Sequence, residues 1–350
     1  MRPSVSIRDV AAHAKVSLGT VSNVLNRPEM VTAATRARVL AAIDELGFVR
    51  NESARQLRSG MARAIGLVVL DVGNPFFTDV ARGVEQAASE VGHAVILCNS
   101  DQSAERQLRH LDLLAEQRVH GVLITPVDGT LTPMRQLKER GISVVLVDHP
   151  TTDADISSVA VDDRAGGVLA ATHLLAEGYE RIVMVTGPPG VHQPRERLRG
   201  ARDAFRRAGR DPAGLEELPV PSLNVAGGLR AGEQLLARRA RPDAVFCAND
   251  LLALGVLQAV VRAGVAVPEE LAIVGYDDIE FAAAAAVPLT SVRQPRQLIG
   301  RTAAEMVIAG RSRSAGNGDQ HVVFTPELVV RESSRRLRRP IRSARARSAT

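Results

Sequence analysis

The chain has 350 residues, 45% hydrophobic and 24% charged, with 3% aromatics and no Trp. That length suits two or three domains with cores of Val, Leu, Ile and Ala, and the composition excludes a disordered chain. The net charge of +5 is uneven, with +4 in residues 1–60, +7 in residues 331–350 and −6 between them.

A basic module on an acidic body points to polyanion contact at the ends alone, although +4 also fits an ordinary surface. All cations except Lys15 and Lys138 are Arg. Cys98 and Cys247 lie far apart, without metal-ligand spacing, and are expected as buried free thiols in a reducing compartment. The opening MRPSVSIRDV lacks a hydrophobic signal core, and no run of about 18 apolar residues occurs. A cytoplasmic protein without a membrane partner is therefore expected.

Ser6 and Asp9 fit a capping box, with Ile7, Val10, Ala11 and Ala14 following at helical spacing. Lys15-Val16 breaks that pattern, and Ser17 is placed to cap a second helix whose apolar face is Val21, Val24 and Leu25. Its other face carries Leu18, Gly19, Ser22 and Asn23, and Asn26-Arg27-Pro28 ends it. Thr32 is placed to cap a third helix, with Val39, Leu40, Ile43 and Leu46 inward and Gly47 as its stop. Three short helices with a tight first turn make a helix-turn-helix, which lays its second helix in the DNA major groove. The same helices would also suit a small bundle without such a role.

The motifs D-V-A, V-S-x-x-T-V-S-x-V-L-N, V-x-x-x-T-R and A-R-x-L decide between them. Over nearly sixty positions the chain resembles the N-terminal module of the LacI/GalR family of bacterial transcriptional regulators. The resemblance implies a helix-turn-helix domain at 1–50 and a hinge helix at 51–60. It implies base reading by Leu18, Gly19 and Asn23; an amide such as Asn23 favours adenine. Ser6, Ser17, Thr20, Ser22 and Asn26 suit caps or phosphate contacts. In the hinge, Ala54 joins the DNA-contacting set. Leu57 matches the family's leucine wedge, which unstacks a minor-groove base step; otherwise it is a linker leucine.

From 61 to 330, strands are expected at Ile65–Leu70, Val95–Leu97, Gly121–Ile124, Val144–Val147, Ile182–Val185, Ala244–Cys247 and Leu271–Gly275. Amphipathic stretches intervene at Thr78–Val91, Ala104–Gln117, Arg164–Glu177 and Leu251–Ala263. Such alternation predicts a parallel sheet covered on both faces, with too many units for one sheet and hence two lobes. Polar residues collect at strand ends, where open α/β sheets bind ligands: Asp71, Asn74, Asn99, Asp101, Asp148, Asn249, Asp277 and Asp278. Any one of these also reads as a helix cap.

The motifs G-L-V-V-L-D-V-G-N-P-F-F, C-A-N-D-L-L-A-L-G and V-G-Y-D-D extend the resemblance to about residue 331. It implies two Rossmann-like lobes of the periplasmic-binding-protein type, lobe 1 at about 61–161 and 293–324, lobe 2 at about 162–292 and 325–331. It also implies an effector between the lobes, contacted by Asn74, Phe76, Phe77, Asp101, Asp148, Arg197, Asn249 and Asp277. These groups suit a sugar or related polar metabolite, though Arg197 would equally hold an acidic effector. Phe76 and Phe77 also read as core. The aromatic platform that many relatives carry is absent, with Leu223 in Pro221-Ser222-Leu223-Asn224 near its place.

No P-loop, GxSxG elbow or HExxH occurs, and Gly187-Pro-Pro-Gly is no dinucleotide fingerprint, so neither an enzyme nor a cofactor is expected. His93, His120 and His173 read as surface or helix-end positions. A periplasmic receptor would fit the cleft but not the DNA module. The family resemblance thus implies a homodimeric repressor on near-palindromic operator DNA, its affinity changed by a small-molecule effector. Residues 332–350, rich in Arg and Ser, are expected as a disordered basic tail, more a solvated end than an extra DNA contact.

Overall fold

The computed structural model describes residues 5–48, 64–310 and 320–336. The hinge expected at 51–60, with Ala54 and Leu57, lies outside the described residues, as do 337–350. The chain divides into two compact units, Met1–Ala62 and Arg63–Thr350.

Among its described residues the first unit holds three α-helices, α1 (Ile7–His13), α2 (Leu18–Asn26) and α3 (Ala33–Leu46). Ser6 and Asp9 form the reciprocal capping box of α1. The Ser17 hydroxyl accepts from the Thr20 amide at 3.1 Å, starting α2 one tight turn later. Gly47, at φ 60°, closes α3 in the left-handed conformation that favours glycine. Thr32 occupies the α3 cap position without capping through its side chain; its hydroxyl donates to Thr35 Oγ1 at 3.0 Å instead. Val10, Ala11, Ala14, Val21, Val24, Val39 and Ala42 form the core. Leu40, expected inward, is 46% exposed. Val39, Ala42, Ile43 and Leu46 already complete the inward stripe, and Leu40 falls about 100° from Val39 around the helix.

Among its described residues the second unit holds two six-stranded sheets of the same plan. Lobe 1 orders its strands β2-β1-β3-β4-β5-β11, all parallel. These are β1 (Ala64–Val69), β2 (Ala94–Asn99), β3 (Gly121–Ile124), β4 (Ser143–Val147), β5 (Ser157–Val161) and β11 (His321–Phe324). Lobe 2 orders its strands β7-β6-β8-β9-β10-β12, and only β12 runs antiparallel. These are β6 (Ile182–Thr186), β7 (Glu216–Pro219), β8 (Ala244–Cys247), β9 (Ala272–Asp277), β10 (Thr290–Arg293) and β12 (Glu327–Val329). The chain crosses between lobes after β5, after β10 and after β11.

Every expected strand forms within a residue or two. β5, β7, β10, β11 and β12 were not expected; none has more than three consecutive apolar residues, and serines lead β5. Ser157 and Ser158 in β5 and Ser291 in β10 are nevertheless buried, and hydrogen bonds satisfy their hydroxyls, as in Ser291 Oγ to Asp250 Oδ1 at 2.6 Å. Both cysteines are buried and free.

Part of the stretch expected as a basic tail is packed instead. Ser333 and Ser334 are fully buried: Ser333 Oγ donates to the Ile273 carbonyl at 2.6 Å, and Tyr179 Oη donates to the Ser334 carbonyl at 3.2 Å. Arg336 lies over the Tyr179 ring at 4.3 Å. Residues 332–336 belong to lobe 2, because small hydroxyl side chains can be buried when every polar atom finds a partner. His173, expected at the surface or a helix end, lies in the last turn of the helix Asp163–Ala176, where it is half-buried and hydrogen-bonds Ser334 Oγ at 2.7 Å. His120 is buried, its ring 4.7 Å from that of His93.

Candidate functional site: a cleft at the strand ends of two lobes

The carboxyl ends of both sheets face one cleft of about 480 Å³, counting its open mouth. This is where chain order reverses in each sheet, the usual ligand position in open α/β folds. Lobe 1 contributes Leu70, Asp71, Asn74, Phe76, Phe77, Gln102 and Asp148. Lobe 2 contributes Val191, Gln193, Pro194, Arg197, Leu223, Ala248, Asn249 and Asp277.

Seven of the eight residues expected at the effector site line this cleft. Asp101 does not; it is exposed, and its carboxylate pairs with Arg106 at 2.7 Å. Its neighbour Gln102 points inward instead, the two residues having φ of 51° and 55°. Gln193, not singled out from the sequence, lies four residues before Arg197 and so shares its helix face. Val191, Leu70 and Ala248 carry no chemical signal by themselves.

Arg197 is the electrostatic centre. Its helix, His192–Arg207, crosses Asp163–Ala176 so closely that a Cβ on Gly167 would lie 2.0 Å from the Arg197 carbonyl. Arg197 Nε donates to Asp163 Oδ1 at 2.8 Å, Nη1 donates to the Ala248 carbonyl, and the guanidinium lies 3.5 Å over the Tyr276 ring. Asp277 Oδ1 stands 3.8 Å away. Burial opposes the Arg197 charge, but Asp163, Tyr276, Asp277 and Asp148 outweigh it and hold the guanidinium protonated.

The carboxylates feel the converse. Burial pushes Asp148 well above its ordinary range, the nearby Asp163 adds to this, and Arg197 pulls back. Burial pushes Asp277 up to about 6 against the pull of Arg197, Gln294, Arg296 and Asn74. Asp163 is also raised by burial, with Arg197 opposing. Asp148 and Asp277 both have positive φ, 55° and 104°. Strained backbone of this kind, at roughly 1–3 kcal/mol each, concentrates at functional sites.

The lobes touch across the cleft. Gln193 Nε2 donates to the Asp148 carbonyl at 2.6 Å and to Asp148 Oδ2 at 3.0 Å. Val191 of lobe 2 packs into the lobe 1 core, and Leu223 meets the cores of both lobes. Phe76 and Phe77 serve both readings: they are buried in the lobe 1 core and they face the cleft. Asn249 caps its helix through Leu252 N at 2.9 Å while its amide donates to the Leu223 carbonyl at 3.0 Å. Among the described residues, no group of three or more His, Cys, Asp or Glu is arranged to hold a metal ion.

Of the expected DNA-facing residues of the first unit, Ser6 and Ser17 are exposed at helix starts, and Thr20 and Ser22 are half-buried. Leu18 is 46% exposed, and Gly19, Asn23 and Asn26 are exposed with it. Asn26 Nδ2 donates to the Ser22 carbonyl at 2.9 Å, and Ser17 Oγ and Thr20 Oγ1 lie 2.9 Å apart. Asn23 is left presenting its amide outward.

A helix-turn-helix unit joined to a two-lobed binding domain defines the class: a ligand-responsive DNA-binding regulator. Residues 6–51 match the bacterial regulatory proteins of the lacI family, and residues 171–334 match the periplasmic binding protein-like domain. The ribose operon repressor of Escherichia coli K12 is 36% identical over 332 residues, 94% of this chain and 99% of that protein. The HTH-type transcriptional repressor PurR of Aliivibrio fischeri ES114 is 34% identical over 335 residues, 94% and 98% of the two chains. The lac repressor dimer bound to operator and the anti-inducer ONPF aligns with a TM-score of 0.81 at 26% identity, over 95% of this chain and 99% of that one. The chain belongs to the lacI family of bacterial regulatory proteins. Among the described residues, no helix is long and apolar enough to cross a membrane.

Proposed function

We propose that this regulator is a homodimeric repressor of near-palindromic operator DNA, released or tightened by a neutral, hydroxyl-rich small molecule of the sugar class. The state of Arg197 carries the effector reading. Its Nε and Nη1 are already engaged by Asp163 and the Ala248 carbonyl, and Asp163 and Asp277 counter its charge, so it is no free cation for an acidic effector. Three carboxylates, Asp71, Asp148 and Asp277, line the same cleft. Their oxygens accept hydrogen bonds from hydroxyls. Leu223 at the expected platform position offers a flat base no ring to stack on. Relatives with different ligands agree with a cleft tuned by such details: a CelR complex holds cellobiose, and an Enterococcus faecium family member holds ribose.

The contacts with this effector are assigned to Asn74, Phe76, Phe77, Asp148, Gln193, Arg197, Asn249 and Asp277. Base reading is assigned to Leu18, Gly19 and Asn23, and the minor-groove wedge to Leu57 on the family resemblance. An exposed apolar edge supports a second copy. Strand β2 ends the lobe 1 sheet, with Leu97 46% exposed, and Leu108 and Leu113 project from the helix that follows it. Twofold protein symmetry then dictates operator symmetry.

A thermal-shift screen of neutral sugars, sugar acids and purines tests the effector class, since a ligand of the native state raises its apparent stability. A neutral sugar is expected to raise Tm and to change the mobility shift of the protein on its own promoter DNA. Stabilisation by sugar acids or purines alone rejects the proposed class. Turnover of the bound ligand rejects a regulator without enzymatic activity.

A further inference from the structure

One titratable pair at the cleft has no part in the ligand chemistry above. His149 follows Asp148 at the end of β4 in lobe 1. His192 begins the helix His192–Arg207 in lobe 2. Their ring centroids are 4.7 Å apart, with the planes tilted by 42°. His149 is buried, and neither its Nδ1 nor His192 Nε2 has a hydrogen-bond partner. Two imidazoles so placed pack well when neutral. A proton on His149 puts a charge against the His192 ring and away from water.

The surrounding charges are few. Asp148 lies beside His149, its Oδ2 accepting from Gln193. From the helix Asp163–Ala176, Asp163 senses His192 but is engaged by Arg197. Burial first, and His192 second, push His149 down from 6.5 to about 4, while the local backbone pulls weakly the other way.

We propose that His149, packed on His192, forms a proton-sensitive latch across the cleft, closed when the His149 ring is neutral and released when it is protonated. It rests on the cleft reading only in supposing that the lobes open and close, the hinge motion this architecture permits. The sign follows from linkage. In the open state the His149 ring meets water and regains its ordinary affinity for protons, so protons favour opening as pH falls below about 6.5. At pH 5.5 the factor is roughly tenfold in the open-to-closed ratio, and above pH 7.5 it vanishes. Asp148, Asp163 and Asp277 act in the opposite sense, because burial in the closed cleft raises their affinity for protons. The latch is therefore read as a difference between the protein and a variant lacking the titrating ring.

The test uses the full chain without effector, carrying a dye pair on Gly129→Cys and Gly190→Cys. Both positions are exposed with open space for a side chain, and native Cys98 and Cys247 are buried from the reagent. Single-molecule energy transfer from pH 8 to pH 5 reports the open and closed populations. His149→Phe keeps a ring and removes the proton site. The two profiles are expected to coincide at pH 8 and to separate toward tenfold at pH 5.5, with the native chain the more open. Superimposable profiles, or a single population that ignores pH in both, overturn the latch. Should His149→Phe fail to fold, ring-nitrogen NMR of the native chain decides: a His149 titration near 6.5 overturns the proposal, and one well below supports it. Neither readout needs an effector, so a failed ligand screen would count against the cleft reading and leave the latch to its own test.

Discussion

The two lobes share one strand plan and differ in what they bring to the cleft. Lobe 1 brings an apolar wall, Leu70, Phe76 and Phe77, with Asp71, Asn74, Gln102 and Asp148 at its rim. Lobe 2 brings a locked charge cluster, with Arg197 held by Asp163 and Tyr276 beside Asp277. A topology repeated twice therefore produces one face that shields a ligand and another that orients it. Arg197 and Asp163 pair within one lobe, so closing the cleft need not assemble that ion pair from water.

Arg197→Ala is the sharpest way to break this contrast. It leaves Asp163, Asp277 and Asp148 buried without their cation, and about 3–5 kcal/mol of stability should be lost. Urea unfolding of the variant beside the native chain measures this; a loss below about 1 kcal/mol would mean the cluster is not electrostatically locked.

Next in size is the pH response of Asp277. Its folded pKa is raised to about 6, above the unfolded value, so the group adds stability at low pH and loses that contribution as pH rises through about 6. Asp277→Asn should abolish this component, worth at most about 3 kcal/mol between pH 4 and pH 7. Denaturation midpoints over that range check it, and parallel curves for the two proteins would contradict it.

In the DNA-binding unit, Asn23→Ala should cost about 1–3 kcal/mol of operator affinity, chiefly at one base pair, with Tm unchanged because the side chain is exposed. Mobility shifts on operator and mutated operator measure it. The smallest effect belongs to lobe 1: Phe77→Leu should cost less than about 1.5 kcal/mol and leave the pH dependence of stability as it was. A pH-dependent loss there, seen in the same denaturation series, would show that the apolar wall also tunes the charges.

Much of this molecule was legible from short-range pattern. The Ser6–Asp9 capping box, the Ser17 cap and the Gly47 stop are local, and the strands with continuous apolar runs declare themselves. The polar residues at strand ends were visible for the same reason, since each is fixed by the strand before it and the helix after it. Asp101 shows the limit. A pair of left-handed residues at 101 and 102 turns Gln102 inward and leaves the aspartate to Arg106, and no periodicity encodes that. Strands β5 and β10 escaped because their serines are buried through hydrogen bonds to partners such as Asp250.

The sequence by itself determined which elements form, which family the chain resembles and which residues crowd the strand ends, because these follow from contacts within a few residues. Tertiary structure alone decided that Arg197 is already engaged, that Ser333 and Ser334 close the back of lobe 2, and that His149 meets His192. Each of these joins segments tens of residues or more apart, and their energies depend on burial and distance. Those two quantities exist only once the lobes have folded and met.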